Sequence, residues 1–149
     1  MVIIKIFIGA DHQGEKCKNK VIEYLKNNEI DVYDTNIKNN PLDDYPDFAF
    51  DVCDKVLANK GLGILICGTG IGMSIAANKV KGIICARVVN ETDAFTCKNH
   101  NGANVIAFGS NIDFEEIKKI VDAFIATKAP TNERHLRRID KVLKKEQEA

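Results

Sequence analysis

Short, nearly continuous apolar runs alternate along this chain with stretches in which apolar residues recur at helical spacing. Val2 to Ile8 is almost wholly apolar and rich in β-branched residues, so Val2–Ala10 is expected as a strand covered on both faces, as in a parallel sheet. The turn Gly9–Gly14 ends it. Cys17, Val21, Tyr24 and Leu25 then fall at i, i+4, i+7 and i+8, the stripe of an amphipathic helix over Glu15–Asn28. The alternation continues with a strand at Ile30–Tyr33, a polar connection through Asn36–Pro46, and a helix carrying Phe48, Val52, Val56 and Leu57. A strand at Leu62–Cys67, a helix over Gly72–Lys79, a strand at Gly82–Val89 and a helix over Thr92–Asn99 follow. The last strand is expected at Asn104–Gly109, and Phe114, Ile117, Ile120, Val121, Phe124 and Ile125 mark a long helix after it. Strands alternating with helices imply right-handed parallel crossovers. The expected fold is a Rossmann-like three-layer α/β/α sandwich around a five-stranded parallel sheet, in one domain spanning residues 1–149. After Pro130 the composition shifts: Thr131–Ala149 is highly charged, with Leu136, Ile139, Val142 and Leu143 as its apolar stripe. That pattern fits a C-terminal helical tail lying across a partner or across the chain's own surface.

Composition narrows the function classes. The chain has 149 residues, 45% of them hydrophobic, enough for an ordinary core. Lys plus Arg (21) balances Asp plus Glu (21), so no net field favours nucleic acid or an anionic membrane. The five cysteines are odd in number and lack CxxC spacing, which argues against a disulfide framework and a zinc site and for a reducing cytoplasm. The apolar start is too short and too interrupted to span a membrane. Three scattered histidines, His12, His100 and His135, lack metal-ligand spacing, and no metal site is expected.

In an open parallel sheet ligands bind outside the carboxyl ends of the strands. Those ends carry Asp11 and His12, then Cys67 and Thr69, then Asn90 and Glu91, then Ser110 and Asn111; His100 and Asn101 precede the fifth strand, so local sequence does not place them at that rim. The loop CGTGIG, Cys67 to Gly72, holds three glycines before a helix start, where free N–H groups attract an anion. It lacks the lysine of GxxxxGKS and the spacing of GxGxxG, so nucleotide binding fits poorly. A phosphatase-type cysteine loop would have arginine where Met73 stands. What remains is a thiol beside a helix start that favours its thiolate form. Such a group could take a proton from carbon while backbone donors stabilise the resulting enolate. Asp11 could orient His12, accept a sugar hydroxyl, or simply cap the helix beginning near Gly14. Arg134 and Arg138 share a helical face that could present two guanidinium forks to a phosphate, or be a solvated basic face.

GADHQG, DYPDFA, GILICGTGIGMSIAANK, KNHNGANVIAFGS and ERHLRRID follow one another across nearly the whole chain. Together they resemble the type B ribose-5-phosphate isomerases of the RpiB/LacAB family. The resemblance implies interconversion of ribose 5-phosphate and ribulose 5-phosphate in the pentose phosphate pathway, without metal or organic cofactor. It also implies a homodimer with active sites shared between subunits, with pairing of two dimers into a tetramer left open. By position, Cys67 would move the proton between C2 and C1, with Thr69 assisting at the hydroxyls. Backbone amides from Gly68 through Gly70, Ile71 and Gly72 to Ser74 would hold the cis-enediolate. His100 would open the sugar ring, with Asp11 and Asn101 near the sugar oxygens and Tyr45 lining the pocket. His12, Arg134 and Arg138 would hold the phosphate, the arginines coming from the neighbouring subunit. Two features distinguish this chain within the family. It keeps Cys67, which galactose-6-phosphate isomerase subunits typically lack, and it has Asn111 where an arginine often follows FGS, so one phosphate contact is lost or rearranged. Allose 6-phosphate would differ only in the pocket length it needs.

Overall fold

Each β-branched run pairs edge to edge with another, and all four pairings are parallel. The computed structural model describes residues 3–36 and 38–148. Its elements follow in the order β1 (Ile6–Ala10), α1 (Glu15–Asn27), β2 (Val32–Asp34), α2 (Tyr45–Asn59), β3 (Leu62–Cys67), α3 (Ile71–Ala77), β4 (Cys85–Arg87), α4 (Glu91–Asn99), β5 (Val105–Gly109), α5 (Phe114–Ala126) and α6 (Glu133–Lys145). A 3-10 turn over Glu146–Glu148 closes the chain. The sheet runs β2-β1-β3-β5-β4. Strand alternation divides the core between two faces. Ile6, Ile8, Ile64, Ile66, Ile106 and Phe108 pack under α1, α4 and α5, whereas Phe7, Leu65, Cys67, Val105 and Ala107 pack under α2 and α3. This is the expected three-layer α/β/α architecture.

The ends of the strands differ from expectation for reasons of pairing. Val2 lies outside the described residues, and Ile3 and Ile4 are 68% and 44% exposed. β1 begins only where both neighbours are present, with Ile6 opposite Val32 on one side and Leu62 on the other. Likewise β4 shrinks from Gly82–Val89 to Cys85–Arg87, because as an edge strand it has β5 alone to pair with.

Two buried lysines tie elements together. Lys18 of α1 is fully buried; its ammonium bonds Asp34 Oδ1 at 2.8 Å and the carbonyl of Asn36, pinning the chain leaving β2. Lys98 of α4 donates to the carbonyls of Phe124 and Ile125 at 2.6 and 3.2 Å, a cation satisfying the last turn of α5. By contrast α6 has no buried residue. It folds back over the α4–β5 connection, where Ile139 lies against Gly102, and Glu146 accepts the Gly82 N–H at 3.0 Å. Among the described residues no helix is long and apolar enough to cross a membrane.

Candidate active site

The strand order sets where a crevice can open. The connections leaving β1 and β5 pass to one face of the sheet, and the connection leaving β3, which lies between them, passes to the other. Loops that part in this way leave a cleft at the carboxyl ends of the strands. Cys67 is the last residue of β3, faces the α2–α3 layer and is 5% exposed.

The CGTGIG loop folds around that thiol. The Gly70 N–H points at Cys67 Sγ at 3.1 Å, and Thr69 Oγ1 accepts the Ile71 N–H at 3.2 Å, starting α3. Beneath the loop the Ser110 N–H bonds the Cys67 carbonyl at 2.9 Å, and Arg87 Nε–H donates to the Thr69 carbonyl at 2.9 Å. The N–H groups of Gly68, Thr69, Gly72 and Met73 are left without an acceptor among the described residues. The cradle is narrower than the sequence implied. The Ser74 N–H is already bonded to the Gly70 carbonyl at 3.1 Å and its hydroxyl to the Ile71 carbonyl at 2.8 Å, so Ser74 belongs to the helix ladder.

Gly70 has φ +81° and lies directly on the backbone of Phe108; a Cβ there would sit 2.7 Å from Phe108 Cα and 2.8 Å from its carbonyl carbon. Backbone cannot swing aside as a flexible side chain can. Gly70→Ala is therefore expected to cost about 2–4 kcal/mol of stability and to move the Cys67 loop. Thermal unfolding of the variant checks this, an unchanged midpoint being the contrary result. Gly72 meets a different neighbour: its missing Cβ leaves room for the Tyr45 ring, whose Cζ would otherwise be 2.7 Å away. That contact brings Tyr45 to the loop.

Asp11 and His12 occupy the adjoining turn, tied to β3 by the Asp11 N–H on the Ile66 carbonyl at 3.3 Å. Asp11 is buried, and its Oδ1 accepts the N–H groups of Gln13 and Gly14 at 3.0 and 3.1 Å. Burial pushes its carboxyl above the usual carboxylate range, against the pull of those donors. Of the roles left open for Asp11, holding the His12 ring falls to another residue. The partner is Asp43, whose Oδ1 lies 2.7 Å from His12 Nδ1 and also accepts the His12 N–H at 3.2 Å. The Asp43 hydrogen bond holds His12 above the ordinary imidazole range. For Asp43 burial works upward, but the bonds from His12, Asn39 and Asn40 outweigh it and hold the carboxyl below its ordinary range. The stabilisation from the raised imidazole is lost as pH rises through that value, and that from the depressed carboxyl as pH falls through its own. The pair thus stands intact across the weakly acidic to neutral interval between them. Sequence reasoning missed Asp43: thirty-one positions separate it from His12, and nothing local marks it.

His100, Asn101, Arg134 and Arg138 are elsewhere. His100 closes α4, its N–H on the Thr96 carbonyl at 2.8 Å, and so stands at the amino end of β5, whereas Cys67 pairs with Gly109 at the carboxyl end. The length of β5, about 13 Å at roughly 3.3 Å per residue, separates the two rims. At the amino rim the His100 ring stacks on His135 of α6, centroids 4.5 Å apart. His100, Asn101, His135 and Arg138 line a cleft of about 310 Å³ with Ile84 and Ile139. Burial first, then His100 and the guanidiniums of Arg134 and Arg138, hold His135 below the ordinary imidazole range. The expected site residues therefore fall into two separated groups within one chain. The carboxyl rim gathers Asp11, His12, Tyr45, Cys67 and the loop from Gly68 to Gly72; the amino rim gathers His100, Asn101, Arg134 and Arg138. Among the described residues no three His, Cys, Asp or Glu side chains converge as metal ligands would.

The chain is similar to a protein of Mycoplasma genitalium named as a probable ribose-5-phosphate isomerase B, 47% identical over 148 residues that cover 96% of each chain. Among solved structures, ribose-5-phosphate isomerase B of the same organism, with ribulose 5-phosphate bound, superimposes with a TM-score of 0.93 at 44% identity and full coverage of both chains. The Clostridium thermocellum ribose-5-phosphate isomerase B gives 0.92 at 37% identity, covering 97% of this chain and 99% of its own. The family described as Ribose/Galactose Isomerase matches residues 6–142, from the first residue of β1 into α6, and the chain is a member of that family.

Proposed function

We propose that this chain interconverts ribose 5-phosphate and ribulose 5-phosphate by proton transfer through a cis-enediolate, at sites built jointly by two copies of the chain. The observation that carries the reading is the Cys67 thiol at the end of β3, which meets the Gly70 N–H at 3.1 Å in a loop whose Gly68, Thr69 and Gly72 N–H groups have no acceptor among the described residues. The relatives named for this activity, one of them holding ribulose 5-phosphate, support the same substrate.

In the proposed reaction Cys67 as thiolate takes the proton from C2 of the open-chain aldose, and the electron pair moves through C1 onto O1. The amides of Gly68, Thr69 and Gly72 face the enediolate charge. Thr69, whose oxygen already accepts the Ile71 N–H, keeps its hydroxyl proton free to relay the O2 proton towards O1. Cys67 then returns its proton to C1, giving the ketose with no net oxidation. His100, from the second copy, opens the ring beforehand, with Asn101 of the same copy and Asp11 near the sugar oxygens. His12 and the second copy's Arg134 and Arg138 hold the phosphate. Two copies are needed because a single chain leaves these groups on opposite rims. Exposed apolar side chains beside both half-sites, Ile71 and Ile75 on α3 and Leu136 and Val142 on α6, support a pairing surface. Five free, buried thiols fit a reducing cytoplasm.

The test is conversion of ribose 5-phosphate by the purified protein, with and without EDTA. Equal rates are expected, and no conversion of either a pentose or a hexose phosphate overturns the reading. Arg138→Ala is expected to raise KM for ribose 5-phosphate about tenfold while kcat stays within about threefold, because it removes a contact made equally before and during the reaction. An unchanged KM would take Arg138 out of the phosphate site.

A further inference from the structure

Resting on the reading of His12 as a phosphate contact, we propose that Asp43 is a positioning residue for substrate binding. It fixes the His12 ring with Nδ1 turned inward, so that Nε2 is the atom presented to the phosphate, and its negative charge favours the imidazolium that carries a proton there.

The geometry is that of a built support. Asp43 is 9% exposed at its side chain against 35% for His12, so the carboxylate lies beneath the ring and the ring faces outward. Oδ1 receives both the ring nitrogen and the His12 main-chain N–H, which fixes the ring relative to its own backbone. Oδ2 is held by Asn39 Nδ2 at 2.8 Å and by the Asn40 N–H at 3.3 Å. The same Asn39 amide reaches the Ala10 carbonyl at 2.8 Å, and Asn36 brackets Ala10 from both sides, accepting its N–H at 3.0 Å and donating to its carbonyl at 2.9 Å. Asn36 is in turn anchored by buried Lys18. A chain of contacts thus runs from the core through Lys18, Asn36, Asn39 and Asp43 to one imidazole at the end of β1. An imidazole that donates Nδ1–H to a carboxylate carries a proton on Nε2 only as the cation, so the outward nitrogen donates to an anion when the ring is protonated and is an acceptor when it is neutral.

The charged groups acting on His12 are Asp43, from the connection after β2, and Asp11, from its own turn; both favour the protonated ring. Asp11 is directed to the Gln13 and Gly14 amides, so Asp43 alone holds the ring. Asp43→Asn keeps the shape and removes the charge. The midpoint of the His12 titration should fall, and each pH unit of fall reduces the protonated fraction at higher pH about tenfold.

The experiment pairs an NMR titration of His12 with kinetics on ribose 5-phosphate from pH 6 to 9, for wild type, Asp43→Asn and Asn39→Ala. Asp43→Asn is expected to lower the titration midpoint and to raise KM about threefold to tenfold at pH 8. That gap should close towards pH 6, where the ring is protonated in both proteins, with kcat within about twofold throughout. Asn39→Ala leaves the carboxylate in place and should move both readings the same way by less. An unmoved titration overturns the proposal, as does a KM raised by one factor at every pH, which marks a loop that is merely misshapen. A lowered midpoint with KM unaltered removes His12 from the phosphate, and Asp43's part in binding with it, while isomerisation stands. Failure of the isomerase reading shows separately, as wild type without turnover, because the NMR titration needs none.

Discussion

Cys67→Ala is expected to reduce kcat for isomerisation of ribose 5-phosphate by about 10²- to 10⁴-fold, the range for loss of a positioned general base. The dissociation constant for ribulose 5-phosphate should change by less than about threefold. The separation follows from the site's construction. The thiol is 5% exposed and meets the chain through the Gly70 N–H, whereas the groups assigned to the sugar oxygens and the phosphate sit on other elements. Removing Sγ leaves a small void and one more unpaired N–H, costing about 1–3 kcal/mol of stability but no substrate contact outside the reacting carbons. Single-turnover kinetics and calorimetric titration on the same preparation measure both quantities. Turnover near that of wild type would remove Cys67 from the proton transfer, and binding lost together with turnover would assign it to substrate affinity.

Mixing two inactive variants should restore activity. Cys67→Ala and His100→Asn each lack one half of every site when alone. Unfolded together and refolded, they should form mixed dimers in which one site has both defects and the other has neither. Random pairing makes about half of all dimers mixed, each with one of two sites intact, so about a quarter of wild-type activity is expected. If Cys67 and His100 of one chain served the same site, every site in the mixed dimer would carry one defect and no activity would return. This tests the distance across β5 as a functional statement: the rims are a strand's length apart within a chain, and the proposed pairing would bring the opposite rim of a second copy to each thiol.

The legible parts of this protein are those whose signals are contiguous. Apolar runs and helical stripes marked all five strands and their helices, because strand burial and helix amphipathicity are written in neighbouring residues. Order in the sheet is not local. Nothing near β4 or β5 says that β5 inserts beside β3 and leaves β4 at the edge, since those pairings join distant segments. The CGTGIG loop was legible for the same reason as the strands: thiol, glycines and helix start follow one another. Asp11 shows the limit of that reasoning. Its side chain accepts the Gln13 and Gly14 amides within its own turn, while α1 starts from Gly14 without a side-chain cap, and the hold on His12 belongs to Asp43 across a polar connection. The Ser74 amide was likewise counted towards an anion cradle on position alone, although the first turn of α3 had already claimed it.

The insertion of β5 between β3 and β4 also sets an order of assembly. As the chain leaves the ribosome from its amino end, β1, β2 and β3 can pair among themselves, because each finds a neighbour already synthesised. β4 cannot: its one partner is β5, which comes later. The loop around Cys67 waits as well, since the Phe108 backbone that Gly70 lies on and the Ser110 amide that holds the Cys67 carbonyl belong to that later strand and its exit. The most chemically exacting turn of the molecule is therefore among the last to acquire its support, some forty residues after its own thiol has been made.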